Sequence, residues 1–183
     1  MLYPVLMSGD PAQIIANAAR KAFARLFQET AEDFYYCTLV STGEGLAPYP
    51  SAWSWQALDR AAGGATNPEA RKALLKWSYS DSPYWLFGQE YFDDVVKAFS
   101  DMGDLHEWKN ADAYREELER RLSATEAAMA LLDAEGLFGT GEKRAGTVIL
   151  AEVMPPDCGN TERALRLNRP GSALDAWLAE AAE

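Results

Sequence analysis

The chain has 183 residues, 48% of them apolar and 11% aromatic, which suits one folded domain over residues 1–183 and excludes a disordered chain. Its 28 acidic residues against 17 basic ones give a formal net charge of -11 at pH 7, which disfavours nucleic acid as a partner, since that binding depends on Lys and Arg displacing counterions from phosphate. No apolar run reaches the roughly 20 residues of a membrane helix, and the opening Met1-Leu2-Tyr3-Pro4 lacks the pattern of a signal peptide, so a cytoplasmic protein away from membranes is expected.

Asp10-Pro11-Ala12-Gln13 opens the first predicted helix, near residues 11–28, with an acid at the N-cap, Pro at the first helical position and Gln placed for a capping box. Ile15, Ala19, Ala22, Phe23 and Leu26 recur at helical spacing and form its core side. A strand near residues 34–41 follows, rich in β-formers and closed by Ser41-Thr42-Gly43-Glu44-Gly45, where glycine permits positive φ. Residues 49–54 read as its antiparallel neighbour, and Trp55 to Arg60 as a short helix ended by Gly63-Gly64. From Asn67 to Trp77 the pattern fits a helix starting at Pro68 or a strand, and stays open.

Two longer helices are predicted near residues 90–100, with Phe92, Val95, Val96 and Phe99 on one face, and near 111–135, from an Asn110 cap to a left-handed stop at Gly136. In the second, Tyr114, Leu118, Leu122, Thr125, Met129 and Leu132 face the core, and the pairs Glu116 with Arg120 and Glu117 with Arg121 mark the wet side. A strand near 147–154 stops at Pro155-Pro156, and Ser172 caps a last helix near 173–182. Helices before, between and after a few strands, without regular alternation, predict an α+β fold with a small, mainly antiparallel sheet.

The chemistry-bearing residues give little support to an enzyme. His106 is the lone histidine and has no second ligand four residues on, while Cys37 and Cys158 lack metal-ligand spacing, so neither metal nor cofactor is expected. Gly136 to Lys143 departs from a phosphate loop because Gly and Lys are not adjacent, and no Ser sits in a nucleophile elbow. Pairs of acids such as Glu44 with Glu152, or Asp81 with Asp157, offer the materials of a carboxylate-based hydrolase. Glu152 stands out because an acid within an apolar strand needs solvent or a partner.

Aromatic residues crowd the segment 77–92: Trp77, Tyr79, Tyr84, Trp85, Phe87, Tyr91 and Phe92 surround Ser78, Asp81, Ser82 and Pro83, and Trp53 and Trp55 extend the set. Core packing against the sheet is the ordinary role of such rings. Presented outward beside acids, Trp53, Trp77, Tyr79, Tyr84 and Trp85 would instead anchor a protein or a sugar.

Phe34-Tyr35-Tyr36 leading to Thr42-Gly43-Glu44-Gly45, then Ser51-Ala52-Trp53-Ser54, Lys76-Trp77-Ser78-Tyr79 with Asp81-Ser82-Pro83-Tyr84, and Glu152-Val153-Met154-Pro155-Pro156-Asp157 with Asn160-Thr161-Glu162 stand in one order along nearly the whole chain. In these motifs the chain resembles a bacterial family catalogued as domain of unknown function 4303. The resemblance carries over no catalytic residue and implies an immunity or inhibitor role beside toxin genes. The expectation is an acidic binding protein that engages a basic toxin domain through Glu44, Asp81, Glu152, Asp157 and the ring patch. A carboxylate hydrolase, or a small-molecule or sugar binder built on Trp77 and Trp85, is the alternative.

Overall fold

A computed structural model describes residues 9–105 and 110–182. The predicted loop histidine, His106, lies outside the described residues. The fold is α+β, with a three-stranded sheet in the order β2-β1-β3, where β1 is Phe34–Thr42, β2 is Tyr49–Ser54 and β3 is Val148–Met154. The helices are α1 (Pro11–Thr30), α2 (Trp55–Ala62), α3 (Pro68–Leu75), α4 (Asp93–Asp101), α5 (Ala111–Ala134), α6 (Gly141–Ala145), α7 (Cys158–Leu167) and α8 (Ser172–Glu180), and a 3-10 turn, Gln89–Phe92, leads into α4. Among the described residues, no helix is long and apolar enough to cross a membrane.

The sheet is mixed rather than mainly antiparallel: β1 runs antiparallel to β2 but parallel to β3, with Val40 opposite Glu152. Strand direction is not written in residue pattern, and the long connection through α2 to α6 permits either sense. The nearly continuous apolar run of β3 fits the parallel choice, since such strands are buried on both faces.

Alternation along the strands divides the interior into two cores. Cys37, Leu39, Ala52, Ile149 and Ala151 meet α1, α4 and α5 through Ile15, Ala19, Phe23, Leu26, Val95, Phe99, Met129 and Leu132. Tyr36, Trp53, Val148 and Leu150 meet Leu58 of α2, Leu75 of α3, Ala164 of α7 and Trp177 of α8 on the opposite face. A β-bulge between Phe34 and Tyr36 breaks strict alternation and puts Tyr35 and Tyr36 into the second core together.

Local signals explain most helix ends. Asp10 Oδ1 accepts from Ala12 N at 2.8 Å, with Pro11 at the first helical position. Gln13 reaches Asn17 instead of completing a capping box. Asn67 caps α3, which settles the open segment as a helix begun by Pro68. Asn110 accepts from Asp112 N and Ala113 N at the start of α5. Ser172 is the first residue of α8, whose cap is Gly171, with no side-chain bond.

Two helices, the short α6 and α7, are not among those expected from the sequence, and the purpose of α7 is visible in its hydrogen bonds. β3 is an edge strand, so Ile149, Ala151 and Val153 would turn unpaired backbone groups outward. Asn160 Oδ1 accepts from Val153 N at 2.8 Å and its Nδ2 donates to Val153 O at 3.1 Å. Arg163 Nε donates to Ala151 O at 2.9 Å. Just past the helix, Asn168 Oδ1 accepts from Ile149 N at 2.9 Å while its Nδ2 donates to Ile149 O at 2.7 Å. Three side chains thus stand in for a fourth strand.

Asn160→Ala strands a buried N–H and a buried C=O together, and the expected cost is about 2–4 kcal/mol. Urea unfolding followed by circular dichroism checks this. Asn160→Asp keeps the acceptor for Val153 N and loses only the donor, so it should fall between wild type and Ala; an Ala variant as stable as wild type contradicts the edge-capping role.

Candidate functional site

Two regions collect the residues of interest, and the first is a groove beside the turn that follows β1. Gly45 has φ +66, in the left-handed region that favours glycine, and a Cβ there would press on the Leu105 side chain. The turn is tied down by Gly43 N donating to Met154 O at 2.8 Å and by the Tyr114 hydroxyl donating to Gly43 O. Arg121, 3% exposed, donates through Nη1 to Gly45 O at 2.8 Å and through Nη2 to Gly103 O at 2.7 Å. Its Nε bonds Glu117 at 2.9 Å and its guanidinium lies over the Phe99 ring.

That arrangement corrects the reading of α5. Glu117 and Arg121 form a buried pair, not part of a wet face, and Arg120 pairs with Glu117 rather than Glu116. Charge spacing alone reads as solvated. Here two loop carbonyls, at Gly45 and Gly103, need a donor from the interior, and Arg121 supplies it.

Above Arg121 opens a groove of about 330 Å³ lined mainly by Leu46, Tyr49, Phe92, Val96, Phe99 and Leu105, with Glu44 and Asp104 among its polar residues. Leu46 and Val96 are 48% and 51% exposed, respectively. Val96 was placed on the inner face of its helix with Val95, yet only Val95 is buried. Adjacent residues are about 100° apart on a helix, so Val96 stands at the margin of the buried stripe that holds Val95 and Phe99, and it faces the groove instead. That pairing, and a leucine directly after a polar turn, were the signals available in the sequence.

The second region is the aromatic segment, and it is strapped to the sheet. Tyr35 Oη donates to Lys76 O, Trp53 Nε1 to Ser78 O and Ser51 Oγ to Tyr79 O, each at 2.7 Å. Ser82 donates to Ala52 O. Four carbonyls, three of them in the strap at Lys76, Ser78 and Tyr79, are thereby satisfied without a ladder. Trp53 is fully buried, so it is not available as an outward anchor. Trp77 is half-buried, edge-on to Tyr35 and Tyr36, and donates to Glu180 at 2.8 Å. Tyr79 tilts against Trp85, which in turn meets Tyr49, and Tyr84 donates to Glu32 at 2.7 Å.

The four candidate acids are not brought into one site. Glu44 is exposed and lines the groove. Glu152, 9% exposed, lies on the sheet face under the strap, where Tyr36 Oη and Thr38 Oγ1 both donate to its Oε2 at 2.6 Å. Asp81 is exposed and accepts from Ser78, and exposed Asp157 is the N-cap residue of α7. Among the described residues no three His, Cys, Asp or Glu side chains form a group able to hold a metal.

Burial shapes the titration of these clusters. Desolvation, reinforced by the charge of Glu152 and its hydrogen bond, pushes the Tyr36 phenol well above its usual value. Burial would raise the Glu117 carboxyl, but hydrogen bonds from Arg120 and Arg121 outweigh it and hold the group low. Arg20 holds Glu135 low by a hydrogen bond, and Lys76 with Trp77 does the same for Glu180.

Removing the acceptor in Glu152→Ala leaves two buried hydroxyls without their bond, and the expected loss is about 2–4 kcal/mol, read from denaturant unfolding. Glu152→Gln retains an acceptor oxygen and should lose less. Because Glu117, Glu135 and Glu180 sit below the ordinary carboxylate value of 4.5, their contribution is complete above that pH and disappears as pH falls through their lowered values. Raised Tyr36 behaves in the opposite sense, contributing fully below its ordinary 10.0 and losing that contribution as pH rises beyond it. Thermal midpoints should therefore hold between about pH 5 and 9 and drop on both sides; an acid limb that starts near neutrality contradicts the assignment.

No curated protein and no solved structure matches the chain. A family model described as domain of unknown function (DUF4303) matches residues 15–169, and with these motifs strung along the sheet, strap and edge cap, the chain belongs to that family.

Proposed function

We propose that this chain is an acidic binding protein of the immunity or inhibitor kind, which receives a basic protein domain in the cytoplasm and covers its working surface. The observation that carries this reading is how the charges are used. Basic side chains are largely engaged at home: Arg20 pairs with Glu135, Arg25 with Glu29 and Glu90, Arg60 with Glu32, Lys76 with Glu180, Arg144 with Asp133 and Arg166 with Glu126. Among the described residues Lys21, Arg71, Lys143 and Arg169 stand outside these and the other ion pairs, whereas Asp33, Asp81, Asp93, Asp94, Glu116, Glu119, Glu142 and Asp175 are acids outside them. The surplus of negative charge is left for the exterior.

Such a field raises the rate at which a basic partner docks and repels phosphate backbones. The hydrolase reading draws no comparable support, because Glu44 and Glu152 occupy different surroundings and Asp81 and Asp157 are exposed. The sugar-binding reading is weakened by the strap, which spends the indole N–H groups of Trp53 and Trp77 on Ser78 and Glu180.

Co-expression of the tagged chain with the products of its adjoining genes tests the proposal. A basic neighbour should co-purify at physiological salt, dissociate at high salt, and become toxic to cells in which this gene is deleted. A deletion strain that tolerates each neighbour, together with no co-purifying product, rules the immunity role out.

A further inference from the structure

The groove above Arg121 joins an apolar floor to an acidic border, and this combination specifies a ligand more closely than net charge does. Of the large apolar side chains exposed among the described residues, Leu46 and Val96 both line this groove, whereas Trp55, Leu74 and Leu165 lie outside it. Around them, Tyr49, Phe92, Phe99 and Leu105 complete an apolar wall. The basic lining residue among the described ones, Arg121, is fully committed to Glu117, Gly45 O, Gly103 O and the Phe99 ring, so it presents no cation to a visitor. On the border stand the carboxylates of Glu44 and Asp104, and Asp93, three residues before Val96 at the start of α4, is exposed and in no ion pair among the described residues.

We infer that this groove receives an apolar side chain flanked by Lys or Arg, supplied by a protein partner. The inference rests on the reading of the chain as a binder of a basic protein and names the place and chemistry of contact. Size supports it, because about 330 Å³ accommodates one or two large side chains and stands at the lower end of small-molecule sites, about 300–1,000 Å³. Energetics support it too: buried apolar anchors carry most of the affinity of an interface, while rim charges choose the partner and speed its arrival. An acidic segment would meet like charge at Glu44, Asp93 and Asp104 as it docked.

The test uses the full chain with methyl-labelled leucine and valine, titrated with short synthetic peptides in nuclear magnetic resonance. One peptide carries a Leu-Phe anchor between lysines, a second the same anchor between glutamates, and a third the lysines with serines in place of the anchor. The lysine-flanked anchor should shift the Leu46 and Val96 methyl signals, and the double variant Leu46→Ser, Val96→Ser should weaken its binding about tenfold. Both positions are half-exposed, and Leu74→Ser, exposed outside the groove, is the control that should leave binding unchanged. Equal binding of the glutamate-flanked anchor overturns the inference. So does a response to lysine peptides confined to acids elsewhere with Leu46 and Val96 unmoved, an outcome that keeps the acidic-binder reading. Silence from every signal with both lysine peptides removes the inference and counts against that reading as well.

Discussion

The closure of the outer edge of β3 by side chains is the constraint on which the arrangement turns. A three-stranded sheet with β1 at its centre has two edges, and the row of N–H and C=O groups at Ile149, Ala151 and Val153 would be open to another chain. Asn160, Arg163 and Asn168 fill that row from α7 and the residue beyond its end. In doing so they fix α7 against the sheet, bring Ala164 into the core beneath Leu150, and hold β3 straight to Met154. Met154 then accepts from Gly43, Gly45 accepts from Arg121, and Arg121 stands under the groove. A continuous series of backbone-directed hydrogen bonds links the edge cap to the proposed contact surface.

The aromatic strap solves a related problem on the opposite face. Residues 76–88 form neither strand nor α-helix, yet they cross a buried surface, and each backbone carbonyl there needs a donor. Trp53 and Ser51 provide donors within the strap, and Tyr35 holds its first residue. Bulky rings suit the task because each combines a large apolar area with a polar tip. The density of Trp and Tyr in the segment is therefore explained by covering the sheet with irregular chain. Glu152 belongs to the same layer: an acid on a buried face is tolerated because the hydroxyls of Tyr36 and Thr38 converge on it.

Legibility followed the kind of partner a residue has. The apolar stripe of α1 and that of α5 from Leu122 onward are self-contained patterns, and they predicted both helices to within a few residues. By contrast, α7 turns Asn160 and Arg163 toward the strand edge and only Ala164 and Leu167 toward the core, so its inner face is polar and hydrophobic periodicity passes over it. The Glu117–Arg121 pair forms as its spacing suggests but misleads about exposure, since Arg121 also serves loop carbonyls remote in sequence and is buried with its partner. The groove was hidden at one further remove: Leu46 and Val96 are individually unremarkable, and only the approach of the turn to α4 makes them one surface.

Charge distribution follows from the same habit of using cations internally. An arginine left exposed at the bottom of the groove would oppose any basic visitor with a Coulomb cost of roughly 1–4 kcal/mol at contact distance near a surface. Holding Arg121 against Glu117 and two carbonyls removes that obstacle and lends the groove wall rigidity. Arg144 and Arg163 are spent in the same way, on Thr147 O and Leu167 O and on Ala151 O. The negative balance comes from 28 acids against 17 bases, and committing Arg121, Arg144 and Arg163 to interior carbonyls keeps those cations from offsetting it at the surface that the proposed partner would read.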